Sequence, residues 1–269
     1  MIEALEEEQE VSSDICPRCG NFKSNCSCED ELDLPMPQGT HGPDDKEMIW
    51  DYTVVTQRRG IQDGDYDPPD EKSPYGYYKD RPIIGRDSPV IGGVYTTGRK
   101  EALVVDEKYG LLEECYEEVL QQLKHLETNG NNPKKVILGL VFKYVREKLK
   151  YDNDAVEESV KKLNAGKTDN SAVKVSLDYF INKGVGVCRH QAVLAGYLLE
   201  KFKQDGYISG KASVDRNYSD KEGGHAWVRY TNSGGKVIVM DPAQNYLGYI
   251  DKVANDRLRG IYRWSYERP

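Results

Sequence analysis

The stretch Gly184-Val-Gly-Val-Cys188-Arg-His-Gln constrains the chain most, because its two glycines break one regular element and the residues after Cys188 begin another. Ahead of it, Val173 to Ile181 is predicted to be a short helix. Beyond Cys188, Ala192, Val193, Ala195, Leu198, Leu199 and Phe202 fall on one face at helical spacing, and Gly206 stops the run. The cysteine is therefore expected in the first turn of a buried helix. Partial positive charge and open N–H groups at that place favour thiolate over thiol and can receive a developing oxyanion. A lone cysteine is a weak signal, and a structural thiol capping a helix is the plainer alternative.

Two further fragments carry chemistry. Gly223-Gly-His225-Ala-Trp-Val leads a histidine into a β-prone run, Ala226 to Thr231, where a base could be held in hydrogen-bond reach of a thiol. Val237-Ile-Val-Met-Asp241-Pro242 ends the next run, Lys236 to Met240, and Asn232-Ser-Gly-Gly235 joins the two as a hairpin. An aspartate at that strand end could accept the histidine Nδ1 proton and fix the ring's tautomer. Each fragment also has a reading without chemistry, a packed histidine beside a tryptophan and an Asp-Pro turn. Tyr246 to Ile250 is expected to add a strand.

Upstream, Leu111, Cys115, Val119, Leu120, Leu123 and Leu126 mark an amphipathic helix ended by Gly130, with Cys115 on its buried stripe as a structural thiol. Asn132-Pro133 opens a second helix carrying Val136, Ile137, Leu140, Val141, Tyr144, Val145 and Leu149, closed by Asp152 to Asp154. From there to Asp169 a polar stretch is expected.

In type, order and surroundings, the Cys188, His225 and Asp241 fragments together resemble the transglutaminase-like cysteine enzymes of the papain-like superfamily. The segment Tyr144-Val-Arg-Glu-Lys-Leu-Lys-Tyr151 resembles the helix and tyrosine that this family carries upstream. The resemblance runs from about residue 134 to about residue 250, the size of one compact domain. It implies an α+β fold, with a nucleophile-bearing helix and its neighbours packed on an antiparallel β-sheet. It also implies a Cys188–His225–Asp241 triad acting on an amide or peptide bond, as a protease or as a deamidase or amidase. Hydrolysis is preferred to crosslinking, which needs a second, amine-binding site. Neither a catalytic cofactor nor calcium is implied, and the second oxyanion donor is unassigned. A catalytically silent protein that uses this fold and its metal segment to dock partners is the alternative. Arg189 could bind an acidic substrate group or pair with a surface carboxylate, the latter being preferred, and His190 is not chosen as the base because successive helix residues diverge by about 100°.

Four of the six cysteines lie between residues 16 and 28. Cys16-Pro-Arg-Cys19-Gly20 is the turn that wraps one side of a tetrahedral metal, and Cys26 and Cys28 follow closely enough to complete a structural Zn²⁺ site. Cys28 is favoured over His41 as the fourth ligand. Such a module is a candidate docking point for a protein partner.

Three regions are expected: 1–47, an acidic leader, the zinc segment and a linker; 48–105, an extension of short strands or an arm over the rest; and 106–269, the catalytic domain. At 269 residues, 30% charged and with a net charge of −8, the composition suits a solvated globular protein. Lys and Arg are interleaved with Asp and Glu, which argues against nucleic acid as partner. No stretch reaches the ~20 apolar residues of a membrane span, and the first residues lack the pattern of a secretory signal. The expectation is a cytoplasmic protein acting on a protein or peptide substrate.

Overall fold

A computed structural model describes residues 48–49, 52–53, 56–57, 66–97, 101–128, 132–167, 172–219 and 223–266. In chain order, the short strands β1 (Met48–Ile49), β2 (Tyr66–Asp67), β3 (Tyr77–Tyr78), β4 (Arg81–Pro82), β5 (Val94–Thr96) and β6 (Glu101–Val104) precede helices α1 (Leu111–Thr128) and α2 (Pro133–Lys148). Then come β7 (Lys150–Tyr151), α3 (Asn153–Leu163), β8 (Val173–Ser176), α4 (Leu177–Lys183), β9 (Val185–Gly186) and α5 (Cys188–Gln204). The chain closes with β10 (Lys211–Ser219), β11 (Gly223–Thr231), β12 (Val237–Asp241), β13 (Tyr246–Tyr249) and α6 (Asp256–Tyr266). The fold is α+β.

Its main sheet is antiparallel throughout, in the order β1-β10-β11-β12-β13. Alternation along β11 and β12 gives the sheet two covered faces. Ala226, Val228, Tyr230, Ile238 and Met240 join the larger core with Leu194, Leu198 and Phe202 of α5. Trp227 and Val239 point the other way, into a cluster with Leu258, Ile261 and Tyr262 of α6. Leu194, Leu198, Phe202 and Tyr197 are fully buried. At about 1.5–3 kcal/mol for each large apolar side chain, their burial fixes α5 firmly against the sheet.

The helices before the sheet begin where their caps allow. Asn132 Oδ1 accepts the Lys134 N–H at 3.0 Å, with Pro133 in the first turn. α1 buries Leu112, Cys115, Val119 and Leu123 completely. Residues from the extension complete the same core: β6 pairs antiparallel with β5 and parallel with β8, so Leu103 lies between Tyr95 and Val175, and all three belong to the larger cluster. The extension thus supplies short strands that share a core with the helices.

Some elements differ from expectation for physical reasons. Val173 to Ser176 is a strand, because Ser176 Oγ accepts the Asp178 N–H at 3.2 Å and so sets the helix start at Leu177. α3 occupies the stretch expected only to be polar, started by Asp152 Oδ1 on the Ala155 N–H at 2.9 Å. It buries only Val156, Ser159 and Val160, which leaves little apolar period to detect. β10 and α6 were not anticipated either. Among the described residues, no helix is long and apolar enough to cross a membrane.

Asp178 is 4% exposed, and its carboxyl faces the Leu111 and Leu112 N–H groups at the start of α1. Burial, aided by the charge of Asp106, pushes its carboxyl up to about 6, against the pull of the Leu111 N–H at the start of α1. A carboxyl raised on folding binds extra protons in the native state, so stability present below about pH 4 is lost as the pH rises through about 6, above which the penalty is complete. Asp178→Asn is expected to stabilise the protein by on the order of 1–2 kcal/mol at pH 7.5 and by nothing measurable at pH 4. Urea unfolding at the two pH values checks this, and an equal effect at both would discount the titration.

Candidate functional site

The approach to Cys188 is built by two glycines with different tasks. Gly184 ends α4 with a left-handed backbone, φ +68°, which only glycine adopts without cost. At Gly186 a Cβ would sit 2.9 Å from the His190 Cβ, so a side chain there would push on the first turn of α5. β9 pairs with β7 between these turns, and Cys188 is the first residue of α5. Val187 occupies the N-cap without a side-chain hydrogen bond, so no cap competes for the first N–H groups of the helix.

The thiol of Cys188 is hydrogen-bonded to His225, and the Ala226 N–H also points at the sulfur. Burial raises the thiol pKa, but the hydrogen bond and charge of His225, the charge of Arg189 and the Ala226 N–H together bring it below the ordinary value. His225 Nε2 lies 2.5 Å from Asp241 Oδ2. Burial alone would lower the imidazole pKa; the Asp241 charge and hydrogen bond, helped by Cys188, raise it to about 10. With the two pKa values moved apart in these directions, the ionised pair is the favoured state at neutral pH.

The structure therefore brings Cys188, His225 and Asp241 together, with one correction. The aspartate meets Nε2, not Nδ1, which leaves Nδ1 for the sulfur. The hairpin explains the approach to Asp241. β11 and β12 pair from Val228 opposite Met240 to Thr231 opposite Val237, so His225, Trp227 and Asp241 project from one face. The His225 ring stacks on Trp227, with centroids 5.8 Å apart.

Asp241 is fully buried and held from two further directions. Its Oδ2 accepts the Tyr262 hydroxyl at 2.7 Å, and its Oδ1 accepts the Gln244 N–H at 3.1 Å. Tyr262 comes from α6, and sequence reasoning missed it. The spacing of Leu258, Ile261 and Tyr262 was the available signal, although it marks a buried helix face and not a role.

The residues after Cys188 also differ from expectation. Arg189 reaches no surface carboxylate: its Nε lies 2.5 Å from Oε1 of Glu101, which is completely buried on β6. His190 is buried and its pKa falls well below the usual imidazole value, through burial and the neighbouring Arg189 charge, so the ring is neutral. Its Nδ1 accepts the Val187 N–H at 3.2 Å, and the ring lies 4.0 Å from that of Phe180, centroid to centroid. It serves to pack and cap the start of α5. Tyr151, 56% exposed on β7, is close enough for the charges of Cys188 and Asp241 to raise its pKa, after burial as the larger cause.

Cys115 is fully buried on α1. Cys16, Cys19, Cys26 and Cys28, proposed to hold Zn²⁺, lie with His41 outside the described residues. Among the described residues no group of three or more His, Cys, Asp or Glu side chains could hold a metal. Comparison with protein-family models, with curated proteins and with solved structures returns no match.

Proposed function

We propose that the protein is a cysteine-dependent hydrolase or acyl transferase of the transglutaminase-like type, acting on an amide. One observation supports this above the others: a thiol at the start of a buried helix shares a histidine with a buried carboxylate 2.5 Å from the ring's far nitrogen. The reading assigns the nucleophile to Cys188. Its thiolate attacks the carbonyl carbon, forming a C–S bond, and the oxyanion forms near the N–H groups that open α5. The imidazolium of His225 then gives its proton to the leaving nitrogen as the C–N bond breaks. Water attacks the thioester as His225 takes its proton, and the C–S bond breaks to release the acid and restore the thiolate–imidazolium pair. Asp241 keeps the ring oriented and offsets its charge, with Tyr262 and the Gln244 N–H fixing the carboxylate in turn.

The α+β layout supports the same reading, since α5 carries the sulfur and an antiparallel sheet carries the base and acid. Incubation with casein, followed by assays for new amino groups and for free ammonia, tests it. New amino groups indicate peptide cleavage and ammonia indicates deamidation, and Cys188→Ala is expected to abolish whichever is seen. Equal product from Cys188→Ala, or no product at all, would remove the support for amide chemistry.

A further inference from the structure

Between α2, β7, the first turn of α5 and the turn after β12 lies a cleft of 370 Å³. It touches the site through three of its walls. Tyr151 shares the field of Cys188 and Asp241, Gln191 is three residues along α5 from the sulfur, and Pro242 follows Asp241 in the chain. Two properties separate this cleft from an ordinary solvated surface.

The first is charge. Lys143 and Arg146 of α2 and Lys150 of β7 line it, against Glu147 as the one carboxylate, in a chain whose net charge is −8. Glu147 lies 3.9 Å from Lys143 and is 59% exposed, so the wall presents three cations and one carboxylate. The second is a pair of acceptors without donors. Gln191 is 2% exposed; its amide nitrogen donates to the Leu149 carbonyl at 2.8 Å, while its Oε1 is buried with no partner. Asn245, held in a left-handed turn at φ +51°, likewise buries an Oδ1 with no partner. A buried acceptor left unsatisfied costs about 1–3 kcal/mol, so both oxygens favour a ligand that brings N–H groups.

We propose that this cleft binds an acidic peptide segment, with its carboxylates against Lys143, Arg146 and Lys150 and its N–H groups on Gln191 Oε1 and Asn245 Oδ1. As a substrate subsite it rests on the amide reading of Cys188, and it directs that chemistry toward bonds flanked by Glu or Asp. A phosphodiester backbone would satisfy the cations but offers no donor for the two oxygens. A peptide satisfies both.

The test uses the full chain carrying Cys188→Ala, so that binding is measured without turnover. The probe is a fluorescein-labelled decapeptide of alternating Glu and Gly, compared by anisotropy with its Gln-for-Glu counterpart. The acidic peptide should bind at least tenfold tighter at 50 mM salt, and most of that preference should disappear at 500 mM, where the Debye length is only about 4 Å. Lys143→Glu/Lys150→Glu, both exposed positions, should abolish the preference. Lys124→Glu/Lys161→Glu makes the same change in net charge at exposed positions outside the cleft lining and should retain it. Equal binding of the two peptides, a preference surviving Lys143→Glu/Lys150→Glu, or equal loss in both double variants would overturn the proposal. Failure of the amide reading would appear separately, as absence of product from casein with peptide binding intact.

Discussion

His225→Ala should slow the alkylation of Cys188 by iodoacetamide at pH 6 by about 10- to 100-fold. An ordinary thiol of pKa ~8.5 is only about 0.3% ionised at that pH. In the intact protein the imidazolium, raised to about 10 by Asp241, holds the sulfur as thiolate below the usual range. The thiolate is then present from below neutrality upward, paired with the imidazolium until the pH at which His225 loses its proton. A thiolate of lowered basicity is a weaker nucleophile, with a Brønsted slope of about 0.4–0.5, so the rate ratio is smaller than the ratio of ionised fractions. Without the imidazole, burial raises the thiol pKa against only the Arg189 charge and the Ala226 N–H, and the profile should climb at higher pH than in the intact protein. Asp241→Asn should fall between the two, since the ring remains while its charge support is lost. Intact mass measured across pH 4 to 9, in a background of Cys16→Ser and Cys19→Ser, reads this directly. Superimposed profiles rising near pH 8.5 in wild type and His225→Ala would sink the ion pair and the chemistry built on it.

What the sequence disclosed of this site, and what it withheld, follows from the range of each interaction. The start of α5 was legible because its cause is local: glycines stop the chain, and the apolar spacing after Cys188 declares a helix. The β11–β12 hairpin was legible for the same reason, since Asn232 Oδ1 accepts the Lys236 N–H at 2.8 Å within the turn itself. Which ring nitrogen of His225 meets Asp241 depends on side-chain torsions that no residue pattern encodes. β10 was missed because Asp215, Arg216 and Asn217 look like a loop, yet all three are buried. Arg216 is satisfied by Thr53 Oγ1 at 2.9 Å, Thr56 Oγ1 at 2.7 Å and the Thr96 carbonyl at 2.5 Å. Those partners stand more than a hundred positions away in the chain, beyond the reach of any local pattern. Tyr262 was hidden in the same way, its apolar neighbours announcing a helix and nothing announcing the carboxylate it meets.

Glu101→Gln is expected to cost about 3–5 kcal/mol, because it leaves the Arg189 guanidinium buried without its counter-charge. For a folded unit of this size that lowers Tm by roughly 6–20 °C. The ion pair joins β6 of the extension to the first turn of α5, so it ties residues well ahead of the site to the helix that carries Cys188. It is also imperfectly satisfied. Glu101 Oε2 and His190 Nε2 are both buried without partners, and His190 Nε2 stands 3.9 Å from Glu101 Oε1. Two desolvated charges with an unfilled hydrogen bond are a poor source of net stability, so Glu101→Leu/Arg189→Met should regain most of what Glu101→Gln loses. Cys188 should not recover in step. Arg189 is one of the charges that hold its thiol pKa down, and the double variant removes that charge while restoring the fold. Thermal unfolding measured beside alkylation at pH 6 separates the two effects. Stability regained with slower alkylation would assign the buried pair to tuning the sulfur, whereas a double variant as unstable as Glu101→Gln would make it a structural tie alone.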